Sequence, residues 1–584
     1  MTDTKIPRPE HPRPQAVREQ WLNLNGWWEF EMDADRAGLE QGLPVADHLA
    51  GEILVPFCPE STLSGVGRTE FLPLLWYRRD FSLPTNWQGQ RILLHFGAVD
   101  YECTVWVNGQ QVGWHRGGYT PFSLDITKAV RWGAPNSLTL HVLDDTLSPL
   151  QPKGKQSMKP ESYGCHYTRV SGIWQTVWLE AVPPTYLAEF QLIPDWANHV
   201  LAVTAQISGK GGDGELHITV LANGKLCGEQ RVHTQGNRAT AYVPLSFVRP
   251  WSPQDPFLYD LEIELRHSDG SRDRLKSYFG LRSIAIEGKV VTLNGKPIFL
   301  RQVLDQGYYP DGIYTAPSDE ALRRDIELGL AFGFNGARLH QKVFEQRYLY
   351  WADKLGYLVW AEFGDWGTDI NDARLLERML EEWLPAMRAQ FNHPAVIGWC
   401  PYNERHDWKN AETLRIPYRL SKALDPTRPV IDTSGYRHVE TDIYDVHDYE
   451  QNVEMFRARY QPLAEGKEVN IYQDRGRDWD IPHADQPFYV SEYGGIWWNP
   501  DQQDEKAWGY GGKDARPRSE AEFLARYRAL TEALLFNPGV CGFCYTQITD
   551  VEQEVNGLCY YNRQPKFDPA LIRAINAQKA AIEK

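Results

Sequence analysis

Ala395-Val-Ile-Gly-Trp399, continued by Cys400-Pro-Tyr-Asn-Glu404, is an apolar run that stops abruptly at a glutamate, and a helical pattern follows it over 409–423. A short apolar run bounded by turn residues reads as a buried strand, and an apolar stripe of period 3.6 reads as a helix lying on it. The unit recurs on both sides. Ile298-Phe-Leu-Arg-Gln-Val303 precedes a helix capped by Ser318, with Glu320 close behind. Asn335-Gly-Ala-Arg-Leu-His340 precedes a helix across 343–355, and Leu358-Val-Trp-Ala-Glu-Phe363 a longer one over 372–391. Pro429-Val-Ile-Asp432, Asp442-Ile-Tyr-Asp-Val-His447, Pro487–Ser491 and Val540–Tyr545 complete eight strands. Strands alternating with helices predict a parallel sheet, and eight such units predict a closed (β/α)8 TIM barrel over 285–584.

Upstream the period changes. Runs such as Tyr101-Glu-Cys-Thr-Val-Trp-Val107 alternate and close on Asn108-Gly109, a strong hairpin signal, with no long helical segment between them. Residues 1–184 therefore predict a β-sandwich of jelly-roll type. Pro183-Pro184 punctuates the chain, and 185–284 predict a second, immunoglobulin-like β-sandwich.

The bulk properties fit an enzyme of several domains. A net charge of −16 over 584 residues argues against nucleic acid or an anionic membrane as partner. The 22 Trp and 29 Tyr exceed what cores alone ask for, so some are expected to form platforms on which sugar rings stack. The N-terminus lacks the apolar run of a secretory leader, and no run of about 18 apolar residues could span a bilayer, so a cytoplasmic protein is expected. Cys541-Gly-Phe-Cys544 has redox spacing, but its alternating apolar neighbours make it a strand, and the cysteines are expected to be buried thiols. Phosphate-cradling glycine motifs and Gly-x-Ser-x-Gly are absent.

The candidate chemistry lies at the strand ends, which in such a barrel face the active site. Glu404 and Glu492, the latter in Phe488-Tyr-Val-Ser-Glu-Tyr-Gly-Gly495, each close an apolar strand and are separated by several strand–helix units. Two such carboxyls facing each other across a pocket are what glycosidic cleavage requires, one as acid and one as carboxylate. Asn403 is placed to bond a hydroxyl beside the reacting carbon; the rival reading makes Asn403-Glu404 a helix cap. Arg338 is placed to hold a carboxylate ionised, or else to form a structural ion pair. Tyr449 is placed to bond that carboxylate, and His447 to touch a sugar hydroxyl or satisfy a loop carbonyl. His340 and His447 lack the spacing of a ligand set, so neither metal nor cofactor is expected.

These residues sit in a wider resemblance. Leu22-Asn-Leu-Asn-Gly-Trp-Trp-Glu-Phe30, Val105-Trp-Val-Asn-Gly109, Gly117-Gly-Tyr-Thr-Pro-Phe122, Ser171-Gly-Ile-Trp-Gln-Thr-Val-Trp-Leu179 and Phe279-Gly-Leu-Arg282 with Leu293-Asn-Gly-Lys296 resemble, in order, segments of glycoside hydrolase family 2. That is the β-galactosidase/β-glucuronidase family. The resemblance implies exo-hydrolysis with retention, Glu404 as acid/base and Glu492 as nucleophile, and a carbohydrate as the partner; a homo-oligomer is compatible with it.

Departures bear on the substrate. The opening of the barrel reads Gln302-Val-Leu-Asp-Gln-Gly-Tyr-Tyr309, which makes Asp305 the candidate sugar contact there. Tyr545 stands where the family's eighth strand carries a Trp. His166, in the loop 159–169 expected to reach the barrel mouth, stands where an acid is commoner; the rival reading is an ordinary surface loop. The Asn-x-Lys with which glucuronidases grip the sugar carboxylate is absent from Gln553-Glu-Val-Asn-Gly557. β-Galactosidase-like specificity is thus favoured. Mannosidase, arabinosidase or galactofuranosidase, transglycosylation and a catalytically silent sugar-binding protein remain as alternatives.

Overall fold

The computed structural model describes residues 6–209, 213–469, 471, 481–502 and 506–584. Strands between Trp21 and Val182 form a four-stranded and a six-stranded antiparallel sheet, closed over a core that includes Trp28, Ile53, Leu75, Phe96 and Leu140. Period-2 alternation supplies that core: along Asn136–Leu143, Leu138, Leu140 and Val142 are all buried. Strands between Tyr186 and Phe279 make a three-stranded and a four-stranded sheet with their own core.

The third body is a curled parallel sheet in the order Val396–Cys400, Leu358–Glu362, Gly336–Leu339, Leu300–Asp305, Val540–Thr546, Phe488–Gly494, Tyr444–Asp448. Helices Asp319–Ala331, Gln346–Leu355, Ala373–Gln390 and Glu412–Leu424 follow its first four strands. Ser318 caps the first of these as expected, its side chain accepting from Ala321 N.

One strand differs from expectation. Residues 429–432 make no continuous strand but bridge the two edges of the sheet. Trp399 N donates to Pro429 O and Ile431 N to Trp399 O, while Asp442 N, leading into Tyr444–Asp448, donates to Val430 O. Pro429 has no N–H to give. The Asp432 carboxylate accepts from Thr433 N, Val439 N and Glu440 N, which turns the chain away at once.

The first sandwich docks on the barrel mouth. Gly154 N donates to Gly364 O at 3.0 Å and Thr168 N to Glu552 Oε1 at 3.1 Å. Gln553 Nε2 donates to Gly164 O and His166 O at 2.8 and 3.0 Å.

Two buried carboxyls, one at this docking and one inside the first sandwich, bear on stability. Glu382, in the helix Ala373–Gln390, accepts from Tyr119 N of the sandwich at 3.3 Å, and burial pushes its carboxyl up to about 8. Glu60 accepts from Ser171 N at 3.1 Å and is likewise pushed by burial to about 8. A raised carboxyl binds its proton more tightly in the folded state, so its contribution is complete below about pH 4.5 and is lost as pH rises through about 8. The apparent unfolding temperature should therefore fall between pH 5 and 9 by at least about 3 °C, since 1 kcal/mol moves a midpoint about 2–4 °C in larger domains. The double variant Glu60→Gln/Glu382→Gln should flatten that slope in a scanning-calorimetry pH series. An unchanged slope would remove these two groups as its cause.

Candidate active site

Arg338 is the hub of the barrel mouth. It lies in the strand Gly336–Leu339, and its side chain is wholly buried. Nε pairs closely with Glu362, Nη1 donates to Glu492 Oε1 at 2.8 Å and to Ser491 O at 3.0 Å, and Nη2 donates to Asn403 Oδ1 at 2.5 Å. A planar guanidinium with five fixed donors can tie four strand ends together in this way, whereas an ammonium cannot. Both sequence readings of Arg338 therefore coexist: it is a structural ion pair with Glu362 and a charge against Glu492.

Glu492 and Glu404 sit in different surroundings. Glu492 is buried; besides Arg338 it receives the Tyr449 hydroxyl on Oε2, with His447 Nδ1 3.4 Å from that oxygen and His340 Nδ1 3.9 Å from Oε1. Burial alone would raise its carboxyl, but His447, Arg338, His340 and the Tyr449 bond together hold it well below the usual carboxylate range. Glu404 is more open, with 18% of its side chain exposed, and its Oε1 lies 2.7 Å from His447 Nδ1. Its backbone is left-handed, φ +54°, a conformation that few L-residues adopt.

The two carboxylates and His447 offer atoms within 4.8 Å of one another. One oxygen of each carboxyl thus opens on the same pocket, the arrangement that a glycosidic acid and carboxylate need. Two carboxylates and an imidazole could also ligate a cation. Glu492 already lies against the Arg338 guanidinium, and a second cation beside that charge would be repelled. The sheet itself brings the pair together. Pairing shifts register between Val446 and His447 and between Val490 and Tyr493, and such bulges re-aim side chains at the ends of strands.

The other expected contacts divide. Asn403, Arg338, His447 and Tyr449 all gather around the two glutamates. Among the described residues no acceptor meets the buried Asn403 Nδ2, which leaves a donor free for a ligand. His447 lies between the carboxylates, its Nε2 3.1 Å from Ser434 Oγ. His166 stands at the rim, 5.6 Å from the Trp366 ring; burial, with Lys155 and Lys159, lowers its imidazole to about 4, so it is neutral near pH 7.

Asp305 and Tyr545 do not join them, which corrects the sequence reading. Asp305 accepts from Gly307 N and from Tyr348 Oη of the helix Gln346–Leu355. Tyr545 packs against Tyr493 and against Tyr527 of the helix Glu520–Leu535. Alternation along each strand turns both toward the helix layer. Thr546, one residue on, meets Tyr449 Oη at 3.0 Å instead.

Several residues of the site escaped the sequence reading. Glu362 carried a usable signal, since it ends the apolar run Leu358–Glu362 much as Glu404 and Glu492 end theirs in the sequence. Trp366 donates from Nε1 to Asn403 O at 3.1 Å, and Tyr510 stacks on Tyr449 at 3.4 Å. These two and Lys155 come from loops, where no periodicity marks them. Glu554 lay inside the quoted segment 553–557, but nothing local shows that it faces the pocket.

Known proteins resemble the chain along its length. Residues 65–183, 185–282 and 284–502 match, in order, the descriptions "Glycosyl hydrolases family 2, sugar binding domain", "Glycosyl hydrolases family 2" and "Glycosyl hydrolases family 2, TIM barrel domain". The β-glucuronidase of Sus scrofa is 28% identical over 472 residues, which cover 73% of this chain and 70% of that protein. The β-galactosidase of Thermoanaerobacter pseudethanolicus is 26% identical over 397 residues, 65% of this chain and 51% of that one. Among solved structures, a β-D-glucuronidase of Dictyoglomus thermophilum superposes with a TM-score of 0.77 at 21% identity, covering 97% of this chain and 98% of that one. A β-galacturonidase of Eisenbergiella tayi bound to galacturonate gives 0.76 at 20% identity, covering 98% and 99%. At such identity the likeness is one of fold.

Proposed function

The chain belongs to glycoside hydrolase family 2 and is a glycoside hydrolase, and on that footing we propose that it removes terminal β-linked sugars with retention of configuration, Glu492 acting as nucleophile and Glu404 as acid/base. The observation that carries this reading is the pair of carboxyls with an oxygen of each within 4.8 Å of the other, one held ionised by Arg338 and Tyr449 and the other partly open to solvent.

In the first step a Glu492 oxygen attacks the anomeric carbon as the glycosidic C–O bond breaks, and the Glu404 proton passes to the departing oxygen. In the second, water attacks the same carbon and gives a proton to Glu404, and the Glu492 ester is released. Asn403 Nδ2, the donor without an acceptor, would bond a hydroxyl next to the reacting carbon, an interaction that gains strength in the transition state.

Among sugars, β-galactosidase-like specificity is favoured. In the region where a glucuronidase carries Asn-x-Lys, this chain reads Gln553-Glu-Val-Asn-Gly557, with no lysine. Hydrolysis of a uronide is the second reading, favoured by the names of the glucuronidase and galacturonidase relatives. A silent sugar-binding protein is disfavoured, because both glutamates are present and face each other.

A panel of nitrophenyl β-glycosides, neutral and uronic, tests the specificity, and NMR of the first-formed product tests the stereochemistry. A neutral glycoside, galactoside first, should be turned over fastest and should release the β-anomer. The α-anomer would sink the retaining mechanism, and a uronide as best substrate would overturn the specificity.

A further inference from the structure

Lys155 is a buried cation whose place the catalytic pair does not explain. The residue is 4% exposed, and it belongs to the sandwich rather than the barrel. Gly154 puts it there: φ is +56°, and a Cβ at that position would come within 2.1 Å of Gln341 O, so only glycine lets the loop approach the barrel this closely. The Lys155 ammonium lies 3.9 Å from the centre of the Trp366 ring, and the same ring bonds Asn403 O through Nε1. Its charge faces Cys165, Glu554, Glu492 and Glu404. Cys165 takes one hydrogen bond from Nζ, and among the described residues no oxygen accepts another, which leaves up to two donors for a ligand beside the three carboxylates whose charge it feels.

Glu554 is the counterpart. It is 1% exposed, its Oε2 receives the Tyr167 hydroxyl closely, and its Oε1 accepts from Asn556 Nδ2 at 3.0 Å. A carboxylate has about four lone-pair positions, so two stay open. The Tyr167 bond fixes Glu554 to the loop that carries Lys155, and donor and acceptor come from two domains but are held as one unit.

We propose that Lys155 and Glu554 form a donor–acceptor pair that grips hydroxyls of the terminal sugar, so that the enzyme selects neutral glycosides over uronides and the sandwich domain supplies a specificity residue to the barrel. An ammonium donates and a carboxylate accepts, and a hydroxyl does both, so the pair satisfies a neutral polyol on two sides. A sugar carboxylate could accept from Lys155 but would meet Glu554 as a like charge, or oblige it to take up a proton, and burial already raises that carboxyl above its ordinary range. Such opposition is how a site rejects the wrong ligand as well as holding the right one. The inference rests on the proposed retaining glycosidase and narrows its substrate to neutral sugars.

The test compares nitrophenyl β-galactoside with its galacturonide, together with the best neutral substrate of the panel, in the full-length protein. Lys155→Met should lower kcat/KM on the neutral substrate roughly 10- to 100-fold, the range of a lost charge-assisted hydrogen bond. Lys155→Arg should recover part of that loss, which a mere packing role would not predict. Glu554→Gln should lower kcat/KM on the galactoside and narrow the galactoside-to-galacturonide ratio. Unchanged kcat/KM in Lys155→Met, or an unchanged ratio in Glu554→Gln, would overturn the proposal, as would a wild-type preference for the galacturonide. An activated fluorosugar that esterifies its nucleophile reports separately on the mechanism. If it labels Glu492 in the wild type while the Lys155 and Glu554 variants behave normally, the pair fails and the retaining reading stands. If it labels another residue, the retaining assignment fails whatever the pair does.

Discussion

The variant Glu492→Ala is expected to lower kcat on every substrate by about 10⁴-fold or more, at least about 5.4 kcal/mol at 1.36 kcal/mol per tenfold. The covalent route requires an oxygen on that strand end, and Glu404, already 2.7 Å from His447 on the opposite side, cannot take its place. The loss should come without unfolding. Arg338 would keep Glu362 as its ion-pair partner, so the buried guanidinium is not stranded when one of its two carboxylates goes. Near-wild-type circular dichroism and unfolding temperature with kcat below about 0.01% of wild type is the expected combination. Azide should enter the vacated space and attack the anomeric carbon directly, giving the α-glycosyl azide by a single inversion. Residual kcat above about 1% on an uncontaminated preparation would remove Glu492 from the nucleophile's role.

The difference between the two glutamates is a property of the folded mouth and not of either strand. Each closes an apolar run, and by sequence they are nearly interchangeable. What separates them is Arg338, which reaches Glu492 from 154 positions away in the chain, and Tyr449, which reaches it from the end of the neighbouring strand. With these donors the carboxylate stays ionised in a place whose burial would otherwise neutralise it. Glu404 meets neither, and it keeps a path to solvent through which a leaving group and later a water could pass.

How much of this could be read beforehand follows from which signals are local. Strand-to-helix alternation is local, so the barrel and its strand ends were legible, as were Glu404, Glu492, Arg338, Asn403, His447 and Tyr449 at those ends. The 429–432 segment misled because an apolar run opened by Pro429 lacks the N–H of a full ladder, and Asp432 ends it through its own side chain. Asp305 and Tyr545 misled by parity. In a strand, one position separates the pocket from the helix layer, and it is Thr546, not Tyr545, that reaches Tyr449. Lys155 and Glu554 were out of reach altogether. They meet only because two domains dock, and the Tyr167–Glu554 bond that joins their loops spans 387 positions.

The variant Glu404→Ala should behave differently from Glu492→Ala, and the difference assigns the roles. With a poor leaving group, cleavage needs a proton on the departing oxygen, and kcat/KM should fall by about 10²–10⁴, the usual contribution of a positioned general acid. With a dinitrophenyl leaving group no proton is needed, so the first step should stay fast. The second step, now without a base to activate water, should become limiting. A burst of dinitrophenol matching the enzyme concentration, followed by a slow steady state, is the expected trace. Azide needs no base, so it should speed that steady state and produce the β-glycosyl azide, the anomer opposite to the one expected from Glu492→Ala. The fold should tolerate the change, because Glu404 sits at φ +54° and its side chain is partly solvated. Glu404→Gly, which removes the left-handed strain as well, should be at least as stable as the alanine variant and show the same burst. An α-glycosyl azide from either Glu404 variant would mean that azide displaces the leaving group itself, and the two glutamates would then have exchanged roles.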